Sequence, residues 1–540
     1  MANEQRPTTN SQRMLTDWLL LAGFCGFLFF FGLSYFGLIG PDEPRYAQIA
    51  REMLERHEWI TPTLSGKPWL EKPILYYWEV ILAYRVLGVS DWAARLPSAV
   101  DATLMVVAVY AFLRRFRAGF HLDGALMTAS AAGVIGFGRA ASMDMPLAAT
   151  FTIGLLAWYA WHESGRKLYL ATFHLSLGLA TLAKGPVAPF LAAVIILLFA
   201  VARGQKALFW RTWWPGVLVF CVAALPWYIA AQLENPQFLW VFILEHNLAR
   251  FGTNLYRHVQ PFWFYVPVTL AGLVPWTVFV VAAVAEGVRG FWRARRERAQ
   301  LQDGLGLFLL IWLAVPFLFF SLSRSKLPGY ILPALPAGTL LLAEFVRQRV
   351  GDSRRPGMVV IVLHGAIAAA PLPALMMQYL SLQQRPIWGG ALALSLILGA
   401  LLATGIAVTV RSSAGLRTLR FVTLVPVILT VAALLRIGAP LLDAKFSARP
   451  LAMEIAAMGN ERLPMAVFQV SREVEFGLHF YRNQSIARYE RHEVPAGEHL
   501  VVAPQGSLTQ LKAEVSSRRV SYLGTYQPQQ LDYYWVAAAR

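Results

Sequence analysis

Only two cysteines occur in 540 residues. Cys25 and Cys221 fall in separate apolar runs without ligand-like spacing, which implies neither a disulfide framework nor a thiolate metal site. Charge is scarce as well: 15% of residues are charged and 57% hydrophobic, against roughly 25% and 45–50% in soluble domains. That shortage excludes a soluble globular protein and makes the bilayer the main solvent. The sequence lacks a glycine-rich nucleotide fingerprint and a Rossmann-like domain, so no nucleotide-binding fold is implied. It shows no internal repeat, so an inverted-repeat transporter receives no support. No A-x-A-like site follows the first apolar run, which therefore reads as a retained span and not a cleaved signal.

What is present is a series of long apolar runs. Leu19 to Ile39, Ala188 to Ala202, Phe264 to Ala285 and Val359 to Met377 approach or reach the ~20 residues that cross a bilayer as helix. Between such runs sits the basic excess, 48 Lys and Arg against 31 Asp and Glu, a formal charge of +17. Arg114 to Arg117, Arg166-Lys167, Arg203 to Arg211, Arg289 to Arg298, Arg347 to Arg355 and Arg411 to Arg420 fall in every second short loop. This positive-inside pattern reads as topology, so no nucleic-acid partner is expected. It predicts a multi-pass bacterial inner-membrane protein with a cytoplasmic N-terminus. About thirteen spans are expected, near 17–39, 94–114, 122–138, 145–161, 168–183, 186–202, 214–231, 263–285, 304–321, 330–346, 357–377, 389–410 and 421–438.

Two outer, periplasmic loops, 40–93 and 232–262, are too long to be mere connectors. In the first, Pro44 to Glu58 reads as an amphipathic helix, and Ile74 to Leu87 is apolar and aromatic with scattered charge. Both suit the interfacial plane. From about Arg436 the chain turns polar. Met465 to Val470, Leu500 to Ala503 and Tyr533 to Ala537 read as strands, and 448–458, 473–481 and 507–515 as helices. The expected division is a membrane domain over 1–438 and a small outer-facing α/β domain over 439–540.

Ionisable residues at the membrane surface are costly, so clusters of them mark candidate sites. The first outer loop carries two: Gly40-Pro41-Asp42-Glu43-Pro44-Arg45-Tyr46, with a carboxylate pair between prolines, and Trp69-Leu70-Glu71-Lys72-Pro73. Any one of these residues alone reads equally as a snorkelling or capping charge.

Pro41-Asp42-Glu43-Pro44-Arg45-Tyr46-Ala47, Glu71-Lys72-Pro73 and Ser325-Lys326-Leu327-Pro328-Gly329-Tyr330 occur in that order. With them the chain resembles the bacterial 4-amino-4-deoxy-L-arabinose lipid A transferases, within the protein O-mannosyltransferase-like enzymes. Glu245-His246 to Pro275-Trp276, with Pro261-Phe262-Trp263-Phe264-Tyr265-Val266-Pro267, and Leu182-Ala183-Lys184-Gly185 resemble that family too. The resemblance implies an α-helical polytopic C-type glycosyltransferase bundle whose site lies at the outer interface under the first long loop. It also implies an undecaprenyl-phosphate sugar donor, a lipid A phosphate acceptor, and Lys184 among the substrate-binding residues. Two departures bear on the sugar more than on the reaction. Trp69 stands where a tyrosine is expected, and Gly329 replaces a polar residue within Lys-Leu-Pro-x-Tyr.

The chemistry can be argued apart from the family. Breaking a glycosyl C1–O bond to phosphate builds positive charge on the ring and negative charge on the departing phosphate. A site needs a carboxylate on one side and cations on the other. Asp42 is the first candidate carboxylate. Asp144, after the turn that follows Arg139, is the second and reads equally as a span cap. Lys72, Arg45, Arg257 and Lys326 are the natural phosphate clamps. A phosphate acceptor is already anionic, so Asp42 would chiefly orient it or stabilise the ring cation, acting as a base only for a hydroxyl acceptor. Glu71 and His258 are the candidate ligands for a divalent metal such as zinc; otherwise Glu71 is simply hydrogen-bonded and His258 pairs with an acid. Tyr46, Trp69, Tyr76, Tyr77 and Tyr330 either stack on substrate or form an interfacial aromatic belt. A different sugar, a glycan or protein hydroxyl acceptor, and a lipid transporter or flippase are the competing readings. A transporter would place its charges mid-bilayer, whereas the charged motifs here sit in outer loops.

Overall fold

A computed structural model describes residues 10–214, 216–249, 260–297, 304–352, 355–412, 415–459, 463–515 and 518–539. Helix α1, Asn10–Cys25, continues as a π turn over Gly26–Phe30 and stops there, short of the Ile39 end expected from hydropathy. Its terminal carbonyls find guanidinium donors and not lipid. Arg139 donates to the carbonyls of Leu28 (3.0 Å) and Phe31 (2.8 Å), and Arg95 to those of Leu33 (2.6 Å), Phe36 (2.8 Å) and Gly37 (2.8 Å). Irregular backbone at a membrane surface is tolerated where protein satisfies it in this way.

The first outer loop is folded. Helix α2 spans Asp42–Glu55, strands β1, Thr63–Leu64, and β2, Lys67–Pro68, form a hairpin, and helix α3 spans Leu75–Leu87. Ser65 (φ 53°) and Gly66 (φ 72°) hold both central hairpin positions at positive φ, the twist a two-residue turn requires. Helix α4, Asp91–Phe116, starts at the Ser90 cap, whose hydroxyl accepts from Ala93 N at 3.2 Å. Helices α5, His121–Ala129, and α6, Ala132–Gly138, are two pieces where one span over 122–138 was expected. The antiparallel pair α7, Asp144–Ser164, and α8, Lys167–Lys184, turns at Gly165 (φ 69°).

Among the described residues, eight helices are long and apolar enough to cross a membrane, and nine if the pair Phe262–Gly272 and Thr277–Arg296 is counted as one span. That pair is bent by 117°, so the span expected over 263–285 is broken. The difference from thirteen has a physical cause. Helices such as α7 face protein on most sides, with Trp158, Tyr159, Phe151 and Leu155 buried, and a helix solvated by its neighbours need not be apolar all round. At 21 residues, α7 is still about 31 Å long, a bilayer thickness.

The last spanning helical stretch, Gly415–Phe446, runs past the boundary expected at 438, because Ala439 to Leu442 stay apolar. The polar domain beyond it has the expected α/β form. Strands β3, Met465–Val467, β4, Ile486–Arg488, β5, His499–Pro504, β6, Val520–Tyr526, and β7, Leu531–Val536, form one sheet in the order β4-β3-β5-β7-β6. The first three are parallel and the last two antiparallel. Its helices are Arg449–Ala457, Arg472–Arg482 and Leu508–Glu514. Phe476 and Phe480 of the second helix share one apolar cluster with Tyr46, Ala50 and Met53 of α2, so this domain packs directly on the first loop.

Candidate active site

The first turn of α2 separates the two carboxylates of the Pro41-Asp42-Glu43-Pro44 motif, since successive helix residues point about 100° apart. Asp42 faces out with its side chain 52% exposed, and Arg45, one turn on, donates to its Oδ1 at 2.5 Å. Glu43 turns inward at 7% exposure. Its Oε1 accepts from Arg95 Nε (3.1 Å) and Ala141 N (2.7 Å), and its Oε2 from Arg95 Nη2 (2.6 Å) and Ile39 N (2.8 Å). Every lone pair of Glu43 is engaged in structure, while Asp42 remains the carboxylate available to a substrate.

Arg45 is buried inside an aromatic collar, its Cζ 5.2 Å from the Tyr46 ring, 5.1 Å from Trp69 and 5.5 Å from Phe476. Burial works against its charge, but the Tyr46 phenol and the Asp42 and Glu71 carboxylates outweigh it, so the guanidinium stays charged. Its Nε meets no hydrogen-bond acceptor among the described residues. Arg45, Trp69 and Glu71 line a cleft of about 610 Å³ whose other wall, with Arg472, Phe476 and His479, comes from the C-terminal domain. Glu52 of α2 pins the hairpin beside it, accepting from Ser65 N (2.8 Å), Gly66 N (3.1 Å) and Thr63 Oγ1 (3.1 Å).

The second part of the site is built where α7, α8 and the Pro328–Ala334 turn meet. Asp144, the first residue of α7, forms an ion pair with Lys184 at the end of α8 and accepts from Ser142 Oγ at 3.0 Å. Burial alone would raise its pKa; the Lys184 charge and hydrogen bond, the Ser142 bond and the Lys72 charge overcome this and hold it below the usual carboxylate range. Lys184 also lies 4.8 Å from the Tyr330 ring centroid. Gly329 fits against Asp144, where a Cβ would stand 2.7 Å from the carboxyl carbon. Tyr265, from the Pro261 to Pro267 motif, donates to the Leu327 carbonyl at 3.0 Å and so braces the Ser325 to Tyr330 loop. The two parts communicate: Lys72 acts on Asp144, and the Asp144 charge on the Tyr46 phenol.

Of the candidates from sequence, Asp42, Arg45, Tyr46, Trp69, Glu71, Lys72, Asp144, Lys184 and Tyr330 thus converge. Lys326 is buried and turns its ammonium back to the Ser323 carbonyl of its own loop, where desolvation lowers its pKa. Arg257 and His258 lie outside the described residues. Among the described residues no group of three or more His, Cys, Asp or Glu is arranged to hold a metal, and Glu71 is the one proposed ligand described. Tyr76 and Tyr77 are fully buried behind Tyr46, and Tyr76 donates to the Ala94 carbonyl at 2.9 Å, so both belong to the core and not to a substrate surface. Sequence reasoning missed Arg95 and Arg139. Their signal was available: each is a lone charge in or beside an apolar run, where charge is costly. Phe476 carried no such signal.

The chain has relatives that match this arrangement. The dolichyl-phosphate-mannose-protein mannosyltransferase family matches residues 14–242. An undecaprenyl phosphate-α-4-amino-4-deoxy-L-arabinose arabinosyl transferase 2 of Pseudomonas fluorescens is 32% identical over 391 residues, 71% of this chain and 64% of that protein. The corresponding transferase of Pseudomonas aeruginosa is 30% identical over 409 residues, 72% of this chain and 71% of its own length. The chain thus spans about two thirds of the length of the curated relatives it matches. In three dimensions it superposes on the crystal structure of ArnT from Cupriavidus metallidurans bound to undecaprenyl phosphate with a TM-score of 0.76, at 22% identity, covering 96% of this chain and 98% of that one. The archaeal oligosaccharyltransferase AglB of Archaeoglobus fulgidus superposes with a TM-score of 0.50 over 93% of this chain and 71% of that one, at 13% identity. The fold is therefore that of a multi-pass membrane glycosyltransferase.

Proposed function

We propose, from the premise that the chain belongs to the family of undecaprenyl phosphate-α-4-amino-4-deoxy-L-arabinose arabinosyl transferases, that it transfers this sugar from undecaprenyl phosphate to a lipid A phosphate on the periplasmic face of the inner membrane. The observation that carries the reading is the convergence of an available carboxylate, Asp42, with Arg45, Lys72 and the Asp144–Lys184 pair, drawn from loops far apart in the chain. This places negative charge beside cations at the end of a helical bundle, as the reaction demands.

An oxygen of the acceptor phosphate attacks C1 of the sugar, and the C1–O bond to the undecaprenyl phosphate breaks, its electron pair leaving on the phosphate. No proton has to move, because the acceptor is already an anion. Asp42 holds the acceptor side and offsets the positive charge building on the ring, while Lys72 and Arg45 stabilise the charge gathering on the leaving phosphate. Arg45 suits this task because its buried Nε has a hydrogen bond still to give. Asp144 keeps Lys184 fixed over Tyr330, a floor against which a sugar ring can stack.

The test is transfer by purified protein in lipid nanodiscs, supplied with undecaprenyl-phosphate aminoarabinose and lipid A and read by mass spectrometry. Lipid A gaining one aminoarabinose is the expected product. Equal transfer from a nucleotide sugar without lipid carrier would overturn the donor, and modification of a glycan or protein hydroxyl in place of lipid A would overturn the acceptor.

A further inference from the structure

The peptide leading to Asp42 has no regular structure of its own between Phe31 and Ile39, so its course is set by whatever binds it. Much of what binds it comes from the C-terminal domain and the helical linker before it. Gly37 N donates to Asp443 Oδ1 at 2.7 Å, and Leu38 N to the Tyr481 hydroxyl at 2.7 Å. That hydroxyl in turn donates to Asp91 Oδ1 at 2.7 Å. Arg449 bridges the same groups, giving Nη1 to Asp91 Oδ2 (2.8 Å) and the Ser34 carbonyl (3.0 Å), and Nη2 to Asp443 Oδ2 (2.7 Å). Ile39 pairs with Ser447 in an antiparallel bridge. The fit is tight: a Cβ on Gly37 would stand 2.3 Å from Ser447 Oγ and 2.5 Å from the Tyr481 hydroxyl oxygen.

The opposite side of the peptide is held from within the membrane domain, by Arg95 on the Phe36 and Gly37 carbonyls and by Glu43 on Ile39 N. Asp91 and Arg95 stand one turn apart on α4, so a continuous path runs from Tyr481 and Arg449 through α4 to Glu43, next to Asp42. Of the site cations, Lys72 is fixed separately, following the hairpin that Glu52 pins, whereas Arg45 donates to Asp42 itself and lies in a collar that Phe476, on the same helix as Tyr481, helps to form.

We propose that Arg449 and Tyr481 are positioning residues for the transfer, aiming Asp42 by clamping the Ser34–Ile39 peptide, so that the C-terminal domain is an integral part of the reaction machinery. This rests on the role given above to Asp42. A clamp that acts through Asp42 and its partner Arg45 affects the chemical step most and leaves the Lys72 contact to the donor intact.

The experiment compares full-length Tyr481→Phe, Arg449→Lys and Arg449→Gln in nanodiscs with the wild type, measuring kcat, donor KM and melting. Tyr481→Phe keeps the ring and removes the hydroxyl that links Leu38 N to Asp91. It should lower kcat by about tenfold to a hundredfold, the size of effect that a displacement near 1 Å produces, with donor KM moving far less than kcat. Arg449→Lys should retain more activity than Arg449→Gln. The decisive arm is Tyr481→Phe placed on Asp42→Asn: a residue acting through Asp42 causes no further loss there, whereas a general structural defect repeats its full loss. Wild-type kcat in Tyr481→Phe, or an equal fold-loss in both backgrounds, overturns the inference. If Tyr481→Phe does not fold, the same cycle with Arg449→Lys decides by the same criterion. Full activity in Asp42→Asn alone would instead remove the function reading, whatever Tyr481→Phe does.

Discussion

Gly329 and Asp144 approach so closely that a single methyl group at Gly329 would press on the carboxylate, 2.7 Å from its carbon. The glycine that departs from the expected motif is thus matched to the acid it faces. Both ends of the contact are fixed, Asp144 by Lys184 and Ser142, and the Gly329 loop by Tyr265.

Gly329→Ala should therefore lower kcat by up to about a hundredfold, because a shift near 1 Å at a reacting centre has that effect. The variant should still fold, since the turn needs no positive φ at this position, with melting lowered by the ~1–3 kcal/mol that overpacking costs. Steady-state kinetics of the well-folded variant check this, and wild-type turnover would show that Asp144 tolerates displacement.

Asp42 and Glu43 should fail in opposite ways although they adjoin. Asp42→Asn should keep the fold, because the side chain is half exposed, and lose about a hundred- to a thousandfold in turnover. Glu43→Ala leaves Arg95 buried without its counter-charge, which costs about 3–5 kcal/mol and should appear as lost expression or a lowered melting temperature. Paired melting and turnover measurements separate the two. A stable, inactive Glu43→Ala would reassign the roles.

The pH dependence follows from Asp144. Its pKa is held down, so the ion pair with Lys184 is fully formed above the ordinary carboxylate range and is lost as pH falls through the lowered value. Lys184→Gln removes the strongest lowering influence and leaves burial to push the carboxyl upward. The acidic limb of kcat/KM should then move to higher pH, whatever happens to its height. A limb that stays in place would show that Asp144 does not titrate in the rate.

Topology is checked by reporter fusions. Basic runs in alternate loops predict that a reporter active only in the periplasm works when joined after Phe446 and fails when joined after Arg296. The reverse result would place the site on the cytoplasmic face.

Much of this was legible in one sequence, for identifiable reasons. The C-terminal helices and the core strands β3, β5 and β7 carry patterns of period 3.6 or 2, and fell within a few residues of their expected places. Asp42, Glu71 and Lys72 stood out because charge at a membrane surface demands explanation. Hydropathy could not show that Asp42 and Glu43 have unlike duties, because that depends on which flank of α2 meets Arg95. Nor could it separate helices bathed in lipid from helices such as α7 bathed in protein. The edge strands β4, three residues long, and β6, half exposed and bulged between Tyr522 and Gly524, left no clear local alternation.

The two arginines at the end of α1 bear on how the chain is made. Helix α1 runs into a string of carbonyls whose donors are synthesised after it, Arg95 in α4 and Arg139 in the turn that follows α6. Until those arrive, the carbonyls of Leu28, Phe31, Leu33, Phe36 and Gly37 lack their guanidinium donors at the bilayer surface. The N-terminal helix can be inserted early, but its end is sealed only after α4 and the chain following α6 have joined it. Assembly therefore closes around the first helix from behind, and the peptide that leads to Asp42 takes its course only when that closure is complete.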